Sequence, residues 1–178
     1  ADKVVTESHV NDVTLPSGKT LALITLDNGK DYTRPNTIGP RTLQALGNVL
    51  DQLASRAAAG EISAVAITGK QFIFAAGADL SKVSSLATTE NALLMAQYGH
   101  HVLGKFHNLG VPTFAFVNGL ALGGAMEIAL HCDYRTLDAS AAALAFPEVF
   151  LGIIPGWGGA TLVPNLIGIE NALEVIVS

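Results

Sequence analysis

The sequence predicts an α/β fold with a largely parallel sheet. Three observations carry this. Short apolar runs alternate along the chain with segments whose apolar residues step by three and four. Glycine and proline punctuate nearly every change of period. The chain of 178 residues is 49% hydrophobic and 14% charged, well under the roughly 25% charged of an average soluble domain. Such a chain builds one sizeable core and is expected to bury further surface against copies of itself.

"KTLALITLDN", Lys19 to Asn28, reads as a strand. A turn at Pro16-Ser17-Gly18 precedes it, with a partner strand expected over His9 to Leu15. From Pro40 to Ala59 the period becomes helical: Leu43, Leu46, Leu50, Leu53 and Ala57 make one face, and Gly60 supplies the stop. "SAVAIT", Ser63 to Thr68, is a short buried strand. "GKQFIFAAGADL", Gly69 to Leu80, reads as a loop returning to the core. Met95, Tyr98, Val102 and Phe106 step helically, and Gly110-Val111-Pro112 ends that helix. "TFAFVNG" is a strand leading to a helix that opens near Gly123. "DYRTLD" and "AALAF" are short strands around a turn at Asp138 to Ser140. "PGWGG" is a loop, and "ENALEVIVS" begins a last helix. Its apolar face still runs at Ser178, so residues 1–178 are expected to be one domain at the front of a longer protein.

Several function classes are disfavoured. The net charge is −5 with no cluster of lysine and arginine, so no nucleic-acid groove is expected. No apolar run approaches the ~20 residues of a membrane span. The first ten residues lack the pattern of a signal peptide. With one cysteine, no internal disulfide is possible, and a soluble cytoplasmic protein is expected. Phosphate-loop, dinucleotide and nucleophile-elbow motifs are missing. His131, Cys132 and Asp133 are contiguous, but helical neighbours point apart, so no metal site is expected and Cys132 reads as core. His100 and His101 read as partly exposed, while His9 and His107 carry no signal.

Three segments carry chemistry: "FAAGADL" (Phe74 to Leu80), "NGLALGGAME" (Asn118 to Glu127) and "FPEVFLGIIPGWGG" (Phe146 to Gly159). Singly, each has an ordinary explanation: a turn glycine, a glycine pair for close packing, a carboxylate near a helix N-terminus, a strand-end turn. Their order and spacing together resemble the enoyl-CoA hydratase/isomerase (crotonase) family. The resemblance runs from the helix after Asn36 to the last helix. Within the family, "PGWGG" and "LVPNLIG" look most like the hydratase part of bacterial multifunctional fatty-acid oxidation α-subunits.

The resemblance implies a crotonase (ClpP-like) spiral of repeated ββα units, here without its C-terminal helical region. It implies acyl-CoA thioester substrates and reversible hydration of 2-enoyl-CoA to 3-hydroxyacyl-CoA. An enolate-like state there places negative charge on the thioester oxygen, which two preorganised N–H groups can stabilise. The implied donors are Ala78 and Gly124. Gly124 also opens a helix, whose end favours an anion. Glu127 would position and activate the water, and Glu148 would protonate C2. The two carboxylates should come close enough to share one water. Ala76, Gly77, Gly123, Pro155, Gly156 and Trp157 are implied substrate contacts. CoA is part of the substrate, and no cofactor is expected in this segment; NAD would enter only with a following dehydrogenase domain. A homo-oligomer, or further domains and a thiolase subunit, would be the partners.

Two departures stand out. Glu127 and Glu148 are 21 positions apart, one more than usual, and the extra residue is expected in the turn around Ser140 to Ala143. "DNGKDYTRPNT" is a longer and more polar entry to the first helix than usual. Asp79 reads as structural or as a helix start. Two alternatives remain: a double-bond isomerase using Glu148 alone or both glutamates, and a non-catalytic acyl-CoA-binding or scaffold subunit. Both glutamates argue against the last.

Overall fold

A computed structural model describes residues 4–79 and 88–177. Four ββα turns follow one another along the chain. Strands β1 (Glu7–Thr14) and β2 (Thr20–Asp27) lead to helix α1 (Pro40–Ala58). Strands β3 (Ala64–Gly69) and β4 (Phe72–Ala75) lead to α2 (Thr89–Gly104). Strands β5 (Thr113–Val117) and β6 (Gly119–Leu122) lead to α3 (Gly124–His131). Strands β7 (Tyr134–Leu137) and β8 (Leu144–Ala145) lead through a 3-10 turn, Pro147–Leu151, to α4 (Gly159–Ile167) and α5 (Ile169–Val177).

The turns stack into two sheets. One has the order β1-β2-β3-β5-β7, parallel except for the β1–β2 hairpin; the other, β4-β6-β8, is wholly parallel. Each turn after the first gives its first strand to one sheet and its second strand to the other. The chain must therefore bend sharply between paired strands. At the bend between β5 and β6 a methyl group on Gly119 would run into the backbone of Phe72. Asn118 beside it accepts from Gly69 N–H at 3.1 Å and donates to Lys70 C=O at 2.8 Å, tying two successive bends together.

Strands β4 and β6 correct the sequence reading, which placed a loop over Phe72–Ala75 and ran Gly119–Leu122 directly into a helix. Each is four residues long and lies between glycines, so neither shows a period of its own. Parallel pairing with a strand more than forty residues away makes them strands. Helix α4 starts at the end of the expected loop Pro155–Gly159 and covers residues to which the sequence reading assigned no element, with Pro164 inside it.

The core lies between the large sheet and the helices. Leu43, Leu46, Leu50 and Leu53 of α1 are buried with Ile24, Leu26, Val65 and Ile67 of β2 and β3. The polar segment before α1 is an organised loop. Lys70 Nζ donates to the Asn28 side chain and to the carbonyls of Lys30, Asp31 and Arg34. Buried Asn36 donates to Leu26 C=O at 2.8 Å and Phe74 C=O at 3.1 Å, and its own carbonyl accepts from Ala76 N–H at 2.8 Å. This asparagine fixes where the chain leaves β4.

Among the described residues, no helix is long and apolar enough to cross a membrane. Whether Asp79 opens a helix concerns residues 80–87, outside the described residues.

Candidate active site

The loop after β4 is tied to Ile38 by two backbone hydrogen bonds. Ile38 N–H donates to Gly77 C=O at 2.8 Å, and Asp79 N–H donates to Ile38 C=O at 3.1 Å. In an extended chain alternate residues point their amides to opposite sides. The Ala78 amide therefore faces away from Ile38, and Ala78 lines a cavity there.

Gly124 stands at the first position of α3, where no preceding turn supplies an acceptor for its N–H. Gly123 caps the helix at φ 51°, a conformation that favours glycine. Its amide donates to Ala145 C=O at 2.8 Å, so β8 is registered against the helix entrance. That bond fixes Pro147–Glu148 relative to Gly123 irrespective of the exposed turn before it. In that turn Ser140 N–H donates to the Asp138 carboxylate at 2.8 Å, a local closure that accommodates length.

Glu127 is in the first turn of α3 and only 2% exposed. Its Oε1 accepts two backbone bonds, from Trp157 N–H at 2.7 Å and Gly159 N–H at 2.8 Å. Burial pushes its carboxyl up to about 7, helped by the nearby Glu148 charge and opposed by the two amides. Glu148 sits in the 3-10 turn after β8, buried and packed on Gly123, where a methyl group would collide with its Oε1. Its other oxygen, Oε2, is buried without a hydrogen-bond partner among the described residues. Burial raises the Glu148 carboxyl as well.

The two carboxylates, Ala78 and Gly124 line one cavity of about 270 Å³. Its remaining wall is largely apolar, from Ile38, Pro40, Met95, Ile153, Ile154 and Trp157 among others. The sequence motifs reached Gly156 and Trp157 of this wall. Ala76, Gly77, Gly123 and Pro155 are not among its lining residues: Ala76 N–H is engaged with Asn36, and Gly123 packs behind Glu148. Ile38, Pro40 and Met95 were not anticipated, because apolar residues on separate elements leave no joint pattern in sequence. Trp157 does more than line the wall: its amide anchors Glu127, and its indole lies flush on Gly124 and Gly99, where a methyl group on either glycine would collide with it.

His131, one turn beyond Glu127 on α3, is buried. Its Nε2 lies 2.7 Å from Trp157 C=O, and its Nδ1 lies 3.2 Å from Nε2 of exposed His107. Burial pushes the imidazole down to about 4, so it is neutral at pH 7. Cys132 is buried, its thiol pushed up to about 12 by that burial.

A family model of enoyl-CoA hydratase/isomerase matches residues 17–178. The chain is 37% identical over 166 residues to the fatty acid oxidation complex subunit alpha of Shewanella loihica, covering 90% of this chain and 24% of that protein. It is 33% identical over 169 residues to a probable enoyl-CoA hydratase of Bacillus subtilis, covering 95% of this chain and 62% of that protein. The chain thus spans less than two thirds of the length of these relatives. Among solved structures, enoyl-CoA hydratase from Bacillus anthracis superimposes with a TM-score of 0.80 at 30% identity, over 96% of this chain and 62% of that one. Pseudomonas aeruginosa DspI gives 0.83 at 27% identity, over 99% and 67%.

Proposed function

Since the chain belongs to the enoyl-CoA hydratase/isomerase family, we propose that it catalyses the reversible addition of water to a 2-enoyl-CoA thioester, giving 3-hydroxyacyl-CoA, as a step of fatty-acid β-oxidation. The observation that carries this reading is the pair of buried carboxylates, Glu127 and Glu148, lining one cavity with Ala78 and Gly124.

Glu127 is the water side. One of its oxygens is occupied by Trp157 and Gly159 amides, which leaves the other for a substrate water. A carboxyl near 7 suits a group that takes a proton in one direction and returns it in the other. As water oxygen bonds to C3, the C2–C3 π electrons move toward the thioester carbonyl. The amides of Ala78 and Gly124 hold the resulting oxyanion; removing one such donor costs roughly 2.7–4 kcal/mol in well-studied enzymes. Glu148, raised by burial, gives its proton to C2. Glu127 keeps the proton taken from water until Glu148 is reprotonated. The sum is addition of H and OH, balanced by water alone, with CoA present only as part of the substrate. The apolar wall of Ile38, Met95 and Ile154 suits an acyl chain.

We extend the proposal to assembly and place. The site belongs to a cytoplasmic protein in which this segment is one domain. Phe150 is 78% exposed, and Ile154 and, on α5, Leu173 and Val177 are exposed as well. That apolar surface supports cover by a second copy or by further domains, a thiolase subunit among them.

The test is loss of enoyl-thioester ultraviolet absorbance when the intact protein meets 2-enoyl-CoA. Absorbance should fall to a hydration equilibrium. A protein that leaves 2-enoyl-CoA unchanged but converts 3-enoyl-CoA into it is an isomerase. One that binds acyl-CoA and turns over neither is a binding subunit.

A further inference from the structure

Helix α3 grips the segment 157–159 from both sides. Glu127 accepts the amides of Trp157 and Gly159, and His131, four residues on and therefore on the same face, meets the carbonyl of Trp157. A carbonyl oxygen can only accept, so His131 must carry its proton on Nε2. Its Nδ1 is then an acceptor, and His107 Nε2–H donates to it. Hydrogen bonds run from His107 to His131 to the Trp157 carbonyl, and the peptides on either side of that carbonyl's donate their Trp157 and Gly159 amides to Glu127. The arrangement is tight, since a methyl group on Gly158 would stand 2.7 Å from His131 Nε2. His100 stands against the same ring in an edge-to-face arrangement, 5.6 Å between centroids.

We infer that His131 is a positioning residue for Glu127, acting through the Trp157–Gly159 peptides. It does not itself line the cavity and reaches the site through Trp157, away from the proposed reacting atoms. It pins the Trp157 carbonyl, and so holds the peptide between the Trp157 and Gly159 amides that meet the Glu127 carboxylate. The role rests on the hydratase reading only where turnover is measured; the hydrogen-bond chain is independent of it. The titratable groups facing the chain are Glu148 at Glu127, and His107 and His100 at His131.

The test compares wild type with His131→Leu, which removes the donor, and His131→Gln, whose side-chain amide can still donate to Trp157 C=O. The Glu127 carboxyl is titrated by carbon NMR, and hydration is measured alongside. In His131→Leu the amides loosen, so the Glu127 midpoint should rise. Its kcat should drop about ten- to a hundredfold, the scale of a slightly misplaced reacting group, with little change in KM. His131→Gln should return both toward wild type. An unchanged midpoint in His131→Leu, or a His131→Gln variant as impaired as His131→Leu, overturns the inference. If the leucine variant does not fold, nitrogen NMR of the wild-type ring decides: Nε2–H with bare Nδ1 is expected, and the Nδ1–H tautomer overturns it. Wild type with the titration behaviour but no hydration would defeat the hydratase reading and leave the positioning role standing.

Discussion

Glu127 and Glu148 face one cavity from segments built in opposite ways. Glu127 rides on a buried helix, and two backbone amides from a distant loop hold one of its oxygens. Glu148 rides on a 3-10 turn after a two-residue strand, and one of its oxygens is buried with no partner among the described residues. One carboxylate is fixed; the other has an open valence for a hydrogen bond. A buried oxygen left without any partner costs about 1–3 kcal/mol, so Glu148 Oε2 calls for a donor from outside the described residues. The difference suggests how two glutamates of identical chemistry would divide the proposed proton relay: the fixed one would orient water, and the open one would deliver the proton.

The largest expected effect comes from erasing the contrast. Glu127→Gln and Glu148→Gln keep shape and hydrogen bonds but remove proton transfer. Each should lower kcat for hydration by ~10²–10⁴, the usual contribution of a general acid or base. Affinity for a CoA ester, measured by calorimetry, should hardly change, because binding is assigned to backbone and apolar wall.

A smaller effect should follow from disturbing the ground beneath Glu127. In Gly124→Ala the new methyl group would overlap the Trp157 ring at Cζ3 and stand 2.6 Å from Cε3. The indole must shift, and the Trp157 amide shifts with it. Hydration should fall by ~10²–10³, the range for a compromised oxyanion donor. Overpacking should also cost about 1–3 kcal/mol of stability. Urea melts and steady-state rates check the two parts. Undiminished hydration would separate Trp157 from the site.

The smallest effect is on stability and sharpens the comparison through pH. The folded Glu127 carboxyl holds its proton up to about 7, whereas an unfolded one releases it near 4.5. Stability therefore declines as pH rises from 4.5 through 7, by at most about 3 kcal/mol from this group. Glu127→Gln still accepts both amides yet has no charge to desolvate. It should gain on wild type progressively between pH 5 and 8, by up to ~3 kcal/mol in urea unfolding. A difference that stays flat with pH would mean that Glu127 is not held in the buried state described here.

Much of this was legible in the sequence, and the rest was hidden for physical reasons. The leucine face of α1 and the hairpin before it were readable because their periods are long and local. Strands β4 and β6 were not: Phe72–Ala75 and Gly119–Leu122 are strands only through partners far along the chain. In the site, Glu127, Glu148, Ala78 and Gly124 could be placed because motif spacing carries them. The amides of Trp157 and Gly159 on Glu127 left no signature, since any residue but proline has an N–H. His131 was readable only as part of a contiguous His-Cys-Asp run. The signal that could have found it is the spacing Glu127-x-x-x-His131, which puts both side chains on one helical face.

The most direct measurement of the division of labour sets the two glutamine variants against two reactions. Hydration of 2-enoyl-CoA needs an added water; isomerisation of 3-enoyl-CoA moves a proton between carbons and needs none. If Glu127 serves the water and Glu148 the carbon-bound proton, Glu127→Gln should lose far more hydration than isomerisation. Glu148→Gln should lose both. Equal loss of the two reactions in Glu127→Gln would contradict the division, and full hydration in either variant would contradict the mechanism.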